Sequence, residues 1–242
     1  MLSANDNIVF LLDVDNTLLD NDRFSGDLDD RLREDFGEQE RIRYREIYSA
    51  LRDRSGFADY LGALQEFRRD LAEKSEEKLM RMSEFLLDYP FAERVYSNVR
   101  EVVQHLDSIG TTAILSDGDI VFQPRKVQRS GLWDLVHGRV MITLHKERCI
   151  DAVQQRFPAD QYVMVEDKPK LLEAMKDQLG DRLTTVFVRQ GHYADEASVV
   201  DEAKIDISVA SIGELAHVER GRFWLRGSSG ASNMATISLE IK

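Results

Sequence analysis

The sequence contains one cysteine, Cys149, so no disulfide can form within the chain. It has no apolar run near the roughly 20 residues that a membrane-spanning helix requires. Its first residues lack a basic stretch followed by an apolar one, so we do not expect a secretory signal. Together these absences favour a soluble, cytoplasmic protein.

Basic residues are also scarce relative to acidic ones. The chain has 32 Lys and Arg against 44 Asp and Glu, a formal net charge of -12. This balance disfavours nonspecific binding to nucleic acid or to anionic membranes, so we expect neither as a partner. A phosphorylated small molecule would need local positive charge, from a metal or from a few placed side chains. The length of 242 residues fits one large domain or two smaller ones, and leaves the oligomeric state open.

An apolar run at residues 8–12 is followed at once by two carboxylates, Asp13 and Asp15. The run is typical of a strand that is buried on both faces of a parallel sheet. Like charges held two residues apart repel each other unless a cation or a shared proton relieves them. This stretch therefore predicts an acidic metal or catalytic site, with an Asp-rich turn as the alternative.

The segment from residue 21 to residue 94 is predicted to be a helical insertion, because apolar residues recur at helical spacing and no strand-like run interrupts it. Within it, the turn from Arg52 to Gly56 places two cationic side chains beside a glycine. We interpret this as a solvated turn, with a ligand-facing turn as the alternative.

Strand-like runs alternate with helical patterns after residue 95, and a helix is predicted from about Lys146 to Phe157. This alternation predicts an α/β fold with a doubly wound parallel sheet. We assign residues 1–20 and 95–220 to the core. The tail, residues 221–242, is predicted to be flexible or to form an edge strand at Thr236–Ile241.

Three predicted strands end in polar clusters. The first carries Asp13 and Asp15, the second delivers Ser116, Asp117 and Gly118, and the third delivers Glu166 and Asp167. Ligands of doubly wound sheets bind outside the carboxyl ends of the strands, so all three clusters are predicted to lie at one edge.

These groups suit phosphoryl chemistry. One carboxylate can act as a nucleophile, and the other can protonate a leaving alkoxide and then deprotonate water. Mg²⁺ suits such a site, with Asp167 as a further ligand. Ser116 and the backbone N–H groups of Asp117 and Gly118 are candidates for holding phosphate oxygens. A lysine would complete the charge balance, and the pattern leaves Lys146 and Lys168 both open.

At this point the residues resemble a known family. Asp13-x-Asp15-x-Thr17, Ser116, Lys146 and Glu166-Asp167 are similar, in that order, to the four motifs of the haloacid dehalogenase superfamily. The resemblance spans about residues 8–190, and the helical insertion at residues 21–94 resembles the cap of that superfamily's first cap class.

The resemblance implies a role for each motif residue. Asp13 would be the nucleophile and a Mg²⁺ ligand. Asp15 would be the general acid and base, with its backbone carbonyl on the metal. Thr17 would brace the turn beside the phosphate. Ser116 and Lys146 would bind the phosphoryl group, and Asp167 would complete the metal site.

The position of Asp15 is acidic in the superfamily's phosphohydrolases but not in its haloalkanoate dehalogenases. The resemblance thus implies a phosphatase acting on a small phosphorylated metabolite. A mutase-like phosphoryl transferase and a phosphate-binding protein with little turnover are the alternatives. Asp117, Glu147 and the leucines at 171 and 172 depart from the usual motifs. Arg189 and His192, just after a predicted strand, are further candidates for substrate contact.

Overall fold

The computed structural model describes residues 7–71, 75–194 and 201–224, apart from the side chains of Asp70 and Glu202. These residues form two compact units. The first contains the described residues up to Asp13, Ser97–Ala113 and those from Ile150 onward. The second contains Val14–Tyr96 and Ile114–Cys149. Of the predicted tail, residues 225–242 lie outside the described part, including the possible edge strand.

The described strands form one six-stranded sheet with the order β3-β2-β1-β4-β5-β6. The pairs β1–β4, β4–β5, β5–β6 and β2–β3 are all parallel. This order is that of doubly wound α/β sheets, which confirms the predicted fold class. The strands are β1 (Ile8–Leu12), β2 (Thr111–Asp117), β3 (Val140–Thr143), β4 (Gln161–Glu166), β5 (Leu183–Val188) and β6 (Ile207–Val209).

The first unit is built on the four strands β1, β4, β5 and β6. Every residue of β1, β4 and β5 is buried, as expected for parallel strands that are covered on both faces. Helix α9 (Pro169–Leu179) packs on β4 and β5. The ring of Phe223 meets that of Phe10 edge-on, 5.0 Å between centroids, so the chain is anchored to this core just before the described part ends.

Between β1 and β2 the described chain is helical apart from isolated bridges, in agreement with the predicted helical insertion. Helices α1 to α4 lie in the second unit, where α1 packs on α2 and α4, and α3 packs on α2 and α4. The boundaries of a cap at residues 21 and 94 stay a prediction. The helices of this stretch are α1 (Asn21–Phe36), α2 (Glu38–Ser55), α3 (Tyr60–Phe67), α4 (Glu76–Asp88) and α5 (Val99–Ile109).

The remaining helices are α6 (Phe122–Arg129), α7 (Leu132–Leu135) and α8 (Ile150–Arg156). The helix predicted from Lys146 to Phe157 is wrong in its first turn. Lys146–Arg148 is a short 3₁₀ turn, and α8 begins only at Ile150. Across the described residues, no helix is both long and apolar enough to cross a membrane.

Candidate active site

Three carboxylates of the first unit meet at the carboxyl ends of β1 and β4. Asp13 follows β1, and its backbone N–H donates to the carbonyl of Val165 at 3.0 Å, which extends the β1–β4 ladder by one residue. Glu166 ends β4 and Asp167 follows it. Asp13, Glu166 and Asp167, here called the acidic cluster, are all buried and offer ligand oxygens within 4.8 Å of one another.

The electrostatics of the acidic cluster fit a bound cation. Burial raises the pKa of Asp167 well above its usual range, and the neighbouring Glu166 carboxylate raises it further. Among the described residues, neither carboxylate oxygen of Asp167 has a hydrogen-bond partner. Buried carboxylates without donors are unfavourable unless a metal or protons neutralise them. The all-oxygen donor set is the kind that Mg²⁺ prefers.

The second unit begins with a tight turn that carries Asp15 and Thr17. The carbonyl of Val14 accepts from the amides of Leu18 and Leu19, both at 2.9 Å. The Thr17 side chain is fully buried, and its hydroxyl has no hydrogen-bond partner in the part of the chain that the structure describes. A buried hydroxyl without a partner is unusual, and the place of Thr17 beside a phosphate stays a prediction.

Ser116, on β2, is held by a residue that the sequence did not single out. The side-chain amide of Gln123 donates to Ser116 Oγ at 2.9 Å and lies 3.4 Å from Asp15 Oδ2. Because Ser116 Oγ accepts this bond, its own proton points elsewhere and can be donated. Lys126, one turn further along α6, forms an ion pair with Asp15, 2.8 Å from Nζ to Oδ1. These four residues form the Asp15 cluster.

The side chain of Asp117 organises the turn that carries Lys146. Its Oδ1 accepts from the Thr143 hydroxyl at 2.8 Å and from the Lys146 amide at 2.9 Å. The Lys146 side chain is itself fully buried. The prediction that the Gly118 amide binds phosphate is wrong. That N–H donates to the Thr143 carbonyl at 2.9 Å and continues the β2–β3 ladder.

The candidates Lys168, Arg189 and His192 lie in more open surroundings. The half-buried Lys168 places its ammonium 5.7 Å from the centroid of the Tyr193 ring. Arg189 is exposed and donates to Ser208 Oγ at 2.9 Å. His192 is also exposed, and its ring contacts the ring of Tyr193. The structure gives Arg189 a partner within the sheet, whereas a role in substrate binding stays a prediction for all three residues.

A family model for haloacid dehalogenase-like hydrolases matches residues 9–178, which is well over half of the chain. The chain belongs to this family. Its sequence and structure are also similar to a haloacid dehalogenase-like hydrolase from Burkholderia xenovorans, with 51% identity and a TM-score of 0.82 over 88% of this chain and 99% of that one.

More distant haloacid dehalogenase-like hydrolases share the fold. One from Bacillus subtilis matches at 16% identity and a TM-score of 0.61, over 88% of this chain and 98% of its own. The L-2-haloacid dehalogenase of Xanthobacter autotrophicus matches at 17% identity and a TM-score of 0.56, over 87% and 97% of the two chains. No curated protein matches the chain.

In this haloacid dehalogenase-like hydrolase, the turn from Arg52 to Gly56 meets the residue before Lys146. Gly56 ends α2 with a φ of 83°, and a side chain there would place its Cβ 2.1 Å from Cε1 of His145. The glycine therefore serves two needs, a left-handed backbone and room for the imidazole. Spacing alone could not reveal the second need.

We expect Gly56→Ala to lower the free energy of unfolding by more than the roughly 1–2 kcal/mol of left-handed strain, because His145 must also move. Gly131→Ala is the matched control, since Gly131 has the same left-handed backbone, with a φ of 78°, but no atom within 4 Å of its added Cβ. Urea unfolding of both variants measures the difference. Equal losses in the two would show that the His145 contact is negligible.

Proposed function

We propose that this chain is a magnesium-dependent phosphomonoester hydrolase that acts through an aspartyl-phosphate on a small phosphorylated metabolite. The acidic cluster carries the proposal, because three buried carboxylates with unpartnered oxygens on Asp167 fit a hard divalent cation. A family member of the same fold from Bacillus subtilis has been solved with magnesium bound.

In this proposal, an Asp13 carboxylate oxygen attacks phosphorus, and the bond between phosphorus and the ester oxygen breaks. The departing alkoxide takes a proton from the Asp15 carboxylic acid. Water then gives a proton to the Asp15 carboxylate as its oxygen attacks phosphorus, which releases inorganic phosphate and restores Asp13. A magnesium ion held by Asp13, Asp167 and the Asp15 carbonyl would supply positive charge against the phosphate.

The other motif residues support the transferring group. The Ser116 hydroxyl, fixed by Gln123, would donate to a phosphate oxygen. Lys146, whose turn is fixed by Asp117, would supply a compact positive charge. A net charge of -12 makes these local donors and the metal necessary for an anionic substrate.

We expect purified protein to hydrolyse p-nitrophenyl phosphate in millimolar Mg²⁺ and to lose that activity in EDTA. The metal is needed because buried carboxylates otherwise repel the phosphate. Released phosphate and p-nitrophenol are measured with and without Mg²⁺, and re-addition of Mg²⁺ after EDTA is the control for irreversible damage.

Three outcomes would contradict the proposal. Equal rates with and without EDTA would exclude a metal requirement. Chloride release from 2-chloropropionate without phosphate release would favour a dehalogenase, the activity named for the Xanthobacter autotrophicus protein. An isomerised sugar phosphate in place of free phosphate would favour a mutase. A screen of phosphorylated metabolites would then identify the substrate class.

A further inference from the structure

Lys126 has a fully buried side chain although lysine is seldom found away from solvent. Its ammonium lies 5.3–5.9 Å from the centroids of four aromatic rings. These rings, here called the aromatic cage, belong to Phe24, Tyr60, Phe91 and Phe122. Ring faces attract a cation, and the attraction grows when water is excluded.

The same ammonium is held by three oxygen acceptors. Lys126 Nζ donates to Asp15 Oδ1 at 2.8 Å, to Asp15 Oδ2 at 3.0 Å and to Asn21 Oδ1 at 3.0 Å. Removing a lysine from water costs several kcal/mol, and buried ion pairs are often no more stabilising than apolar residues of the same volume. Stability alone therefore does not explain a lysine here, and its contact with Asp15 suggests a functional reason.

The face of α6 that carries Lys126 also carries Gln123, three residues earlier. Gln123 donates to Ser116 Oγ and lies close to Asp15 Oδ2, so one helix face contacts both side chains. Gly118 lets this helix approach, because a Cβ on Gly118 would lie 2.7 Å from Gln123 Cβ. Gln123 and Lys126 are both buried on the side of α6, whereas the Asp15 side chain is 21% exposed.

The contacts of Lys126 continue into the helical insertion. The Tyr60 ring of the aromatic cage belongs to helix α3, and its centroid lies 5.9 Å from the Lys126 ammonium. The chain of contacts thus runs from Asp15 to helix α2, where Tyr48 stacks on Tyr60 with 4.8 Å between ring centroids.

We propose that Lys126 is a positioning residue, which fixes the orientation of the Asp15 carboxylate through the aromatic cage and Asn21. The inference rests on the proposed function, in which Asp15 transfers the proton. A partly exposed carboxylate would otherwise sample several rotamers, and only some of them would reach the leaving oxygen. A misplacement of about 1 Å can lower a rate about 100-fold.

The test replaces Lys126 by Met, which keeps the apolar stem and fits the aromatic cage. We expect Lys126→Met to lower kcat for p-nitrophenyl phosphate about 100-fold, while KM changes by less than about threefold. Arg125→Met is the matched control, because it removes a cation from the same helix at a site that faces Asp88 and is 44% exposed. That control should keep the wild-type kcat.

A double-mutant cycle separates positioning from a general loss of structure. If Lys126 acts through Asp15, Asp15→Asn and the double variant Asp15→Asn/Lys126→Met should have the same kcat. A kcat of Lys126→Met within threefold of the wild type, or losses that multiply in the double variant, would overturn the inference. If Lys126→Met does not fold, Asn21→Ala takes its place, with an expected fall in kcat of about tenfold, and a kcat within about twofold of the wild type would overturn the inference.

A crystal structure of Lys126→Met makes the outcome independent of the proposed activity. We expect the Asp15 carboxylate to leave the rotamer in which it faces α6. An unchanged rotamer would overturn the positioning role even if the phosphatase activity is confirmed. A wild-type protein that hydrolyses no phosphate ester would instead refute the proposed function, and the rotamer of Asp15 would still decide whether Lys126 holds it.

Discussion

Asp13→Asn is expected to abolish phosphate ester hydrolysis, with a fall in kcat of about 10⁴-fold or more, as is found when a covalent nucleophile is removed. The amide has the size of the carboxylate but is a much weaker nucleophile. Because the substitution also removes one of three crowded negative charges, the metal-free variant should be at least as stable as the wild type. Initial rates and thermal unfolding are measured on the same preparations.

The matched control for Asp13→Asn is Asp181→Asn. Asp181 is exposed in the turn before β5, so it lies at the amino-terminal ends of the strands, opposite the acidic cluster. It should keep the wild-type kcat. Hydrolysis by Asp13→Asn at more than about one hundredth of the wild-type rate would contradict a covalent route through this residue. A folded but inactive Asp13→Asn beside an active Asp181→Asn would support it.

Much of the fold was predictable because the relevant signals are local. The continuous apolar run of β1 and the polar residues after β1, β2 and β4 place the strands and their carboxyl ends. Parallel pairing then requires the residues after neighbouring strands to meet, as Asp13 and Asp167 do. The acidic cluster thus follows from the strand pattern and one rule of topology.

What the sequence could not predict depends on contacts between distant segments. Lys126 lies in a short polar helix, and nothing local distinguishes it from a solvated lysine. Its burial depends on rings from α1, α3 and the turn before α5, which come together only when the chain folds. The sequence predicted that the Gly118 amide binds phosphate. That amide instead donates to the Thr143 carbonyl, a hydrogen bond that depends on the register of β2 and β3 and could not be foreseen.

The second large effect is expected from Asp167→Asn. The substitution should weaken the stabilisation by Mg²⁺ but should leave the stability of the metal-free protein equal to that of the wild type or higher. Losing a residue that only hydrogen-bonds to a metal ligand typically weakens metal binding about 10- to 100-fold. Losing a direct ligand such as Asp167 should therefore weaken it at least about 100-fold. At Mg²⁺ concentrations about 100 times the wild-type dissociation constant, the wild type should gain about 2.7 kcal/mol of stability. The variant should gain much less at the same concentration.

Without metal, the order of stability should reverse. Burial and the adjacent Glu166 raise the pKa of Asp167, which means that the ionised carboxylate is unfavourable in the folded protein. Asparagine removes that charge, so metal-free Asp167→Asn should unfold at the same temperature as the wild type or higher. Thermal unfolding with EDTA and across a Mg²⁺ titration measures both effects, with Asp181→Asn as the surface control. A variant that is less stable in EDTA but equally stabilised by Mg²⁺ would show that Asp167 supports the fold and does not bind the metal.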